Sequence, residues 1–88
     1  MIKKEIEVVN KLGLHARPAT MLVKTASSFK SKITIKKDEL SVDAKSIMGV
    51  LILAAQKGSK LILEVDGVDE NEAVEAVADL FRRGFDED

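Results

Sequence analysis

With 88 residues the chain is long enough for one domain, near the lower end of what folds by burying a core alone. Its 45% hydrophobic content, set against 14 Lys+Arg and 15 Asp+Glu for a net charge of −1, excludes disorder. No Cys and a single His exclude disulfides, thiol nucleophiles and a zinc site built from several His or Cys ligands.

Ile2–Val9 places apolar residues at 2, 6 and 8 with charges between them, a strand pattern. Asn10-Lys11-Leu12-Gly13 breaks the alternation and reads as a loop. From Ala16 the period becomes helical, with Ala16, Ala19, Leu22, Val23 and Ala26 on one face. Pro18 falls in the first turn, where its missing N–H removes no intrahelical bond. His15 therefore stands at the helix entrance. Lys32–Lys36 and Leu40–Ala44 alternate again as a hairpin around Lys37-Asp38-Glu39, a turn with no Gly or Asn to take a positive φ.

Ser46 is a suitable N-cap for a short apolar helix over Ile47–Ala54, ended by Lys57-Gly58-Ser59. Lys60–Val65 is apolar enough to predict a well-buried strand, and Asp66-Gly67 turns the chain. Asp69 with Glu72 predicts a capping box for a last helix. Ala73, Val74, Val77, Leu80 and Phe81 give that helix its apolar face, Arg82-Arg83 its final turn and Gly84 its C′ residue. The order β-α-β-β-α-β-α predicts an α+β fold, a single domain over 1–88 with one antiparallel sheet and helices on one face. The longest apolar run, Val50–Ala55, is far too short for a membrane span. The alternating N-terminus lacks a signal-peptide core, which points to a cytoplasmic protein.

Gly13-Leu14-His15-Ala16-Arg17-Pro18-Ala19 concentrates the available chemistry. Imidazole is a competent nucleophile near neutral pH. A helix N-terminus offers unpaired N–H groups and the positive end of a dipole to an anion, and the same dipole disfavours the imidazolium. Arg17 adds a planar donor fork suited to phosphate. On the residues alone two readings stand: a phosphoryl site on His15, or a His that merely ends a helix beside a solvated Arg17.

The same heptapeptide resembles the active-site signature of HPr, the histidine-containing phosphocarriers of the bacterial phosphoenolpyruvate:sugar phosphotransferase system. Lys45-Ser46-Ile47-Met48-Gly49-Val50 resembles that family's second signature, around its regulatory serine, and the likeness runs end to end. It implies the open-faced β-sandwich of that family, a four-stranded antiparallel sheet with three helices on one face. His15 would accept a phosphoryl group on Nδ1 from phosphorylated enzyme I, itself charged by phosphoenolpyruvate, and pass it to IIA domains of sugar permeases. Arg17 would neutralise the phosphoryl oxygens. Such a protein is a stoichiometric carrier and not an enzyme, a monomer needing no cofactor or metal.

Ser46 would be a site of regulatory phosphorylation by HPr kinase/phosphorylase, weakening docking to enzyme I and creating a surface for a transcriptional regulator of carbon catabolism. That role is compatible with capping, because a helix N-terminus welcomes negative charge. In the family, residues matching Thr20, Ile47, Met48 and Leu51 contribute to the docking surface. Lys24, Lys45 and Arg17 would rim it and steer acidic partners. The charge distribution fits: residues 1–45 carry net +5 and residues 46–88 net −6.

The sequence departs from the family pattern in two places. Ala54 stands where many members have Gly, and Asp38-Glu39 replaces the usual Asn-Gly. Rival readings are a nitrogen-branch phosphocarrier, an HPr-like regulatory binding protein, which would lack His15, and a small phosphatase, for which one His and one Arg are little machinery. Nucleic-acid binding has no support from Tyr, Trp, a Gly-x-x-Gly clamp or net positive charge.

Overall fold

The structure is a computed structural model, and it describes residues 1–87. Strands β1 (Ile2–Glu7), β2 (Lys32–Lys37), β3 (Leu40–Asp43) and β4 (Lys60–Asp66) form one sheet in the order β1-β4-β2-β3. Every neighbouring pair is antiparallel. Helices α1 (Ala16–Ser27), α2 (Ile47–Leu53) and α3 (Glu70–Arg82) follow the expected order, and a short 3₁₀ turn, Gly84–Asp86, succeeds α3. The fold is the open-faced sandwich that the resemblance implies.

Alternation decides which side of the sheet is covered. Register pairs Ile2 with Val65 and Ile6 with Leu61 on one side of β4, and Ile33 with Val65 and Ile35 with Leu63 on the other. These side chains point to the helices. There they join Leu22 and Ala26 of α1, Val50 and Leu53 of α2, and Val77 and Phe81 of α3 in one core. The opposite face is solvated: Glu64 lies 3.0 Å from Lys36 and 3.6 Å from Lys3 across the strands. This corrects the reading of β4 as well buried throughout. Leu61, Leu63 and Val65 are buried, whereas Ile62 and Glu64 face the open side, since an antiparallel sheet needs only one covered face.

Local details also differ from expectation. Asp38 itself supplies the left-handed residue of the β2–β3 turn at φ 55°, a conformation Asp tolerates better than most residues. Ala16 is exposed and Pro18 takes its place on the buried face of α1 with Ala19, Leu22 and Ala26, because the helix turns its first residue outward. Helix α2 stops at Leu53, and Ala54 becomes its left-handed C-cap at φ 48°, ψ 38°.

The capping box of α3 does not form. Asp69 occupies the N-cap position, but its carboxylate accepts instead from the Lys30 N–H at 2.8 Å, the Ser31 N–H at 2.9 Å and the Ser31 hydroxyl. Those bonds, the Ser31 hydroxyl foremost, pull its pKa down to about 2. The helix start is closed by Glu70, whose Oε1 accepts from the Gly67 N–H at 3.1 Å.

Beyond α3, Gly84 takes φ 62° as expected of a C′ residue, but Phe85 at φ 56° and Asp86 at φ 59° continue left-handed. Each non-glycine residue there costs roughly 1–2 kcal/mol. Burial of the Phe85 ring offsets the strain: it is 1% exposed and meets Phe81 edge-on, centroids 4.9 Å apart. This turn brings Glu87 back to the loop before α1.

Candidate functional site

The entrance to α1 is built by two loops and the C-terminal turn. Leu14 donates its N–H to the Ala55 carbonyl at 2.9 Å, tying the loop before α1 to the segment after α2. Gly13 makes the approach possible: its φ is 71°, and a Cβ there would collide with the Ala55 carbonyl oxygen. Its own carbonyl accepts from the His15 N–H at 3.0 Å and from Asn10 Nδ2 at 2.7 Å.

His15 is the N-cap residue of α1, with extended backbone (φ −78°, ψ −170°) and no cap bond from its side chain. The imidazole is therefore not spent on capping, and 36% of the side chain is exposed. Ala16 and Arg17 occupy the first two helical positions, whose N–H groups have no intrahelical acceptor, and Pro18 has none to offer. No acidic residue lies in that first turn to neutralise the dipole.

The unanticipated member of the site is Glu87. Its carboxylate oxygens both lie 3.0 Å from His15 Nε2, and Oε1 also accepts from Asn10 Nδ2 at 3.0 Å. The His15 hydrogen bond, the Asn10 amide and the charge of Arg17 hold the Glu87 carboxyl below the usual carboxylate range, against partial desolvation. Among the described residues the hydrogen bonds of the ring run through Nε2, and Nδ1 makes none. A cleft of about 490 Å³ adjoins the site, lined by Lys11, Leu12, Arg17, Asp86 and Glu87. Glu87 gave one faint sequence signal: Phe85, a large apolar residue past the helix stop, has to be buried and so must turn the chain back.

The second site sits on the N-terminus of α2. Ser46 caps that helix as expected, its Oγ accepting from the Gly49 N–H at 3.1 Å, and it is half-buried. Of the expected docking residues, Ile47, Met48 and Leu51 are exposed on α2, and Ile52, which sequence reasoning passed over, is 59% exposed beside them. Helices α1 and α2 pack against each other, so this apolar face belongs to the same helical layer as His15. Thr20 is exposed on α1, its hydroxyl donating to the Ala16 carbonyl, and Lys24 is exposed one turn further on. Lys45 points elsewhere: its Nζ donates to the Phe29 carbonyl at 2.8 Å. Among the described residues no cluster of His, Cys, Asp or Glu fits a metal ion.

Residues 2–83 match the family model described as the PTS HPr component phosphorylation site. The chain belongs to the HPr family. The phosphocarrier protein HPr of Neisseria meningitidis serogroup B is 49% identical over 87 residues, covering 99% of this chain and 98% of that protein. A solved HPr structure from Thermoanaerobacter tengcongensis superposes with a TM-score of 0.96 at 46% identity, covering 100% of this chain and 99% of that one. The phosphocarrier protein NPr of Escherichia coli is less similar, 40% identical over 88 residues that cover 99% of this chain and 98% of NPr. Membership makes the chain a phosphocarrier of the phosphotransferase system, with enzyme I and IIA components as partners. No helix among the described residues is long and apolar enough to cross a membrane.

Proposed function

We propose that His15 is the residue that carries the phosphoryl group, on Nδ1, receiving it from phospho-enzyme I and giving it to IIA domains of sugar permeases. The observation that carries this is the disposition of the imidazole: at the N-cap of α1, uninvolved in capping and, among the described residues, hydrogen-bonded through Nε2. Arg17 and the N-terminal N–H groups face the oxygens of a phosphoryl group seated there. A carrier has to release its cargo, so binding shared equally by phospho-His15 and the transition state adds no rate. Three donors and a nearby carboxylate suit a group held briefly. The protein so read is a single-domain, cytoplasmic monomer, a stoichiometric carrier that turns nothing over by itself and needs no cofactor.

Docking uses Thr20, Lys24 and the apolar face of Ile47, Met48 and Leu51, a patch that a short helix on a sheet leaves uncovered. Lys45 joins that surface by releasing the Phe29 carbonyl. Ser46 is the regulatory phosphorylation site, for HPr kinase/phosphorylase, and its phosphate alters recognition by enzyme I and by a transcriptional regulator. Since the hydroxyl already accepts from the Gly49 N–H, a phosphate oxygen can take over that bond without unwinding α2.

Incubation with enzyme I and labelled phosphoenolpyruvate tests the central role. Acid-labile, base-stable label on His15 that chases onto a IIA domain is the expected result. Label released as free phosphate without an acceptor, or label on another residue, refutes it. ATP with HPr kinase tests Ser46 separately.

A further inference from the structure

The geometry points to Asn10 as a positioning residue: its amide holds the Glu87 carboxylate on His15 Nε2, so that Nε2 keeps its proton and Nδ1 is left as the accepting atom. This rests on His15 being the phosphoryl acceptor. Asn10 is 2% exposed, and its Nδ2 reaches two acceptors at once, the Gly13 carbonyl at 2.7 Å and Glu87 Oε1 at 3.0 Å. Both partners accept only, which fixes the nitrogen on that side of the amide. Oδ1 is buried without a protein donor among the described residues, so the side chain is oriented by what its nitrogen holds. Because the Gly13 carbonyl also accepts from the His15 N–H, one amide fastens the backbone of His15 and, through Glu87, its ring.

The chemical consequence follows from proton counting. An ionised carboxylate can only accept, so a bond to Nε2 requires the proton to sit on Nε2, and in the neutral ring that leaves the lone pair on Nδ1. In the transfer, that lone pair forms the P–Nδ1 bond while the bond from phosphorus to the donor atom of phospho-enzyme I breaks, its electron pair leaving with the donor. No proton is lost from His15. The ring becomes an N-phosphorylated imidazolium whose positive charge faces Glu87, and the reverse sequence discharges it. Among the described residues, Lys11, Arg17 and Asp86 bring further charges to the adjoining cleft. Arg17 and Lys11 balance the negative charge that Glu87 presents to an incoming phosphoryl group.

A double-mutant cycle separates positioning through Glu87 from support of the loop. Asn10→Ala is expected to slow phosphoryl acceptance from phospho-enzyme I about tenfold, the lower end of what loss of an imidazole-orienting partner does. In a Glu87→Ala background the same substitution should add no more than about twofold, the scatter of uncoupled pairs. Nitrogen NMR of the His15 ring gives a readout that loop support does not move: the hydrogen-bonded Nε2–H signal of the full chain is lost in Glu87→Ala. Glu87 follows the last helix and lies outside the apolar core, so this second measurement stands even where Asn10→Ala fails to fold. Equal slowing in both backgrounds, or an Nε2–H signal unchanged in Glu87→Ala, overturns the positioning role while label on His15 keeps the acceptor reading. Label elsewhere than His15 overturns both.

Discussion

Ala54 offers a direct test of the backbone argument, because its strain is local and its side chain touches little. It caps α2 at φ 48°, ψ 38° and is exposed, with its N–H donating to the Leu51 carbonyl at 3.0 Å. A residue with a Cβ in that region costs roughly 1–2 kcal/mol, which Gly escapes. Gly also has more freedom to lose from the unfolded chain, about 0.4–1 kcal/mol against Ala. Ala54→Gly should therefore stabilise the protein by a net of about 0.5–1 kcal/mol, with no side-chain burial to offset. In a chain of this size that is a rise in Tm of about 2–8 °C. Urea unfolding should show a higher midpoint at an unchanged slope. Ala55→Gly is the control: Ala55 is 3% exposed and is not among the positive-φ residues, so Gly there should destabilise by about 0.5–1 kcal/mol. A midpoint lowered or unmoved by Ala54→Gly, at constant slope, would refute the reasoning.

Four further outcomes follow from particular contacts. Ser46→Ala should lower stability by about 1 kcal/mol in urea unfolding, while Ser46→Asp, which retains a capping oxygen, should lose little; equal losses would contradict the cap. The Asp69 carboxyl is held at about 2, below its ordinary value, so its contribution to stability is complete above pH 4 and fades as pH falls through 2. Stability measured from pH 5 to 2 should fall less steeply in Asp69→Ala than in the parent, and parallel curves would count against the clamp on Ser31. Arg17→Ala should lower the rate of phosphoryl transfer more than the affinity for enzyme I, which rapid-quench kinetics beside calorimetry can separate; an unchanged rate would remove Arg17 from the reaction. Phe85→Ala should destabilise by roughly 3–5 kcal/mol and also cost the Glu87 contact, visible as loss of the His15 Nε2–H signal in whatever fraction stays folded.

Sequence reasoning succeeded where the governing interactions span few residues. The alternation around Ile33 and Ile35, the cap at Ser46 and the placement of His15 at a helix entrance each depend on neighbours within one turn or one strand, and each lies where its pattern puts it. It failed where a side chain had a choice of partners. Asp69 has the spacing of a capping residue, but Lys30 and Ser31, 39 and 38 positions earlier, together offer three donors at once and win. The outer face of β4 carries Ile62 and so reads as buried, although only tertiary cover decides that. Glu87 belongs to an acidic tail that resembles solvated charge in every local respect. Its position depends on two successive left-handed residues, of which Phe85 has no propensity for that conformation and is held because its ring finds a place beside Phe81. His15 and Arg17 were therefore legible as a pair, whereas the carboxylate and amide behind them were not.

The left-handed turn after α3 has a practical corollary for anyone attaching a label or an affinity tag. A label carried by the Glu87 side chain sits beside the His15 ring, because both carboxylate oxygens lie 3.0 Å from its Nε2. The amino group of Met1, by contrast, lies 3.1 Å from Glu70 at the first turn of α3, at the other end of that helix. A label on that amino group leaves the contact between Glu87 and His15 untouched, so the two placements differ in whether they disturb the ring.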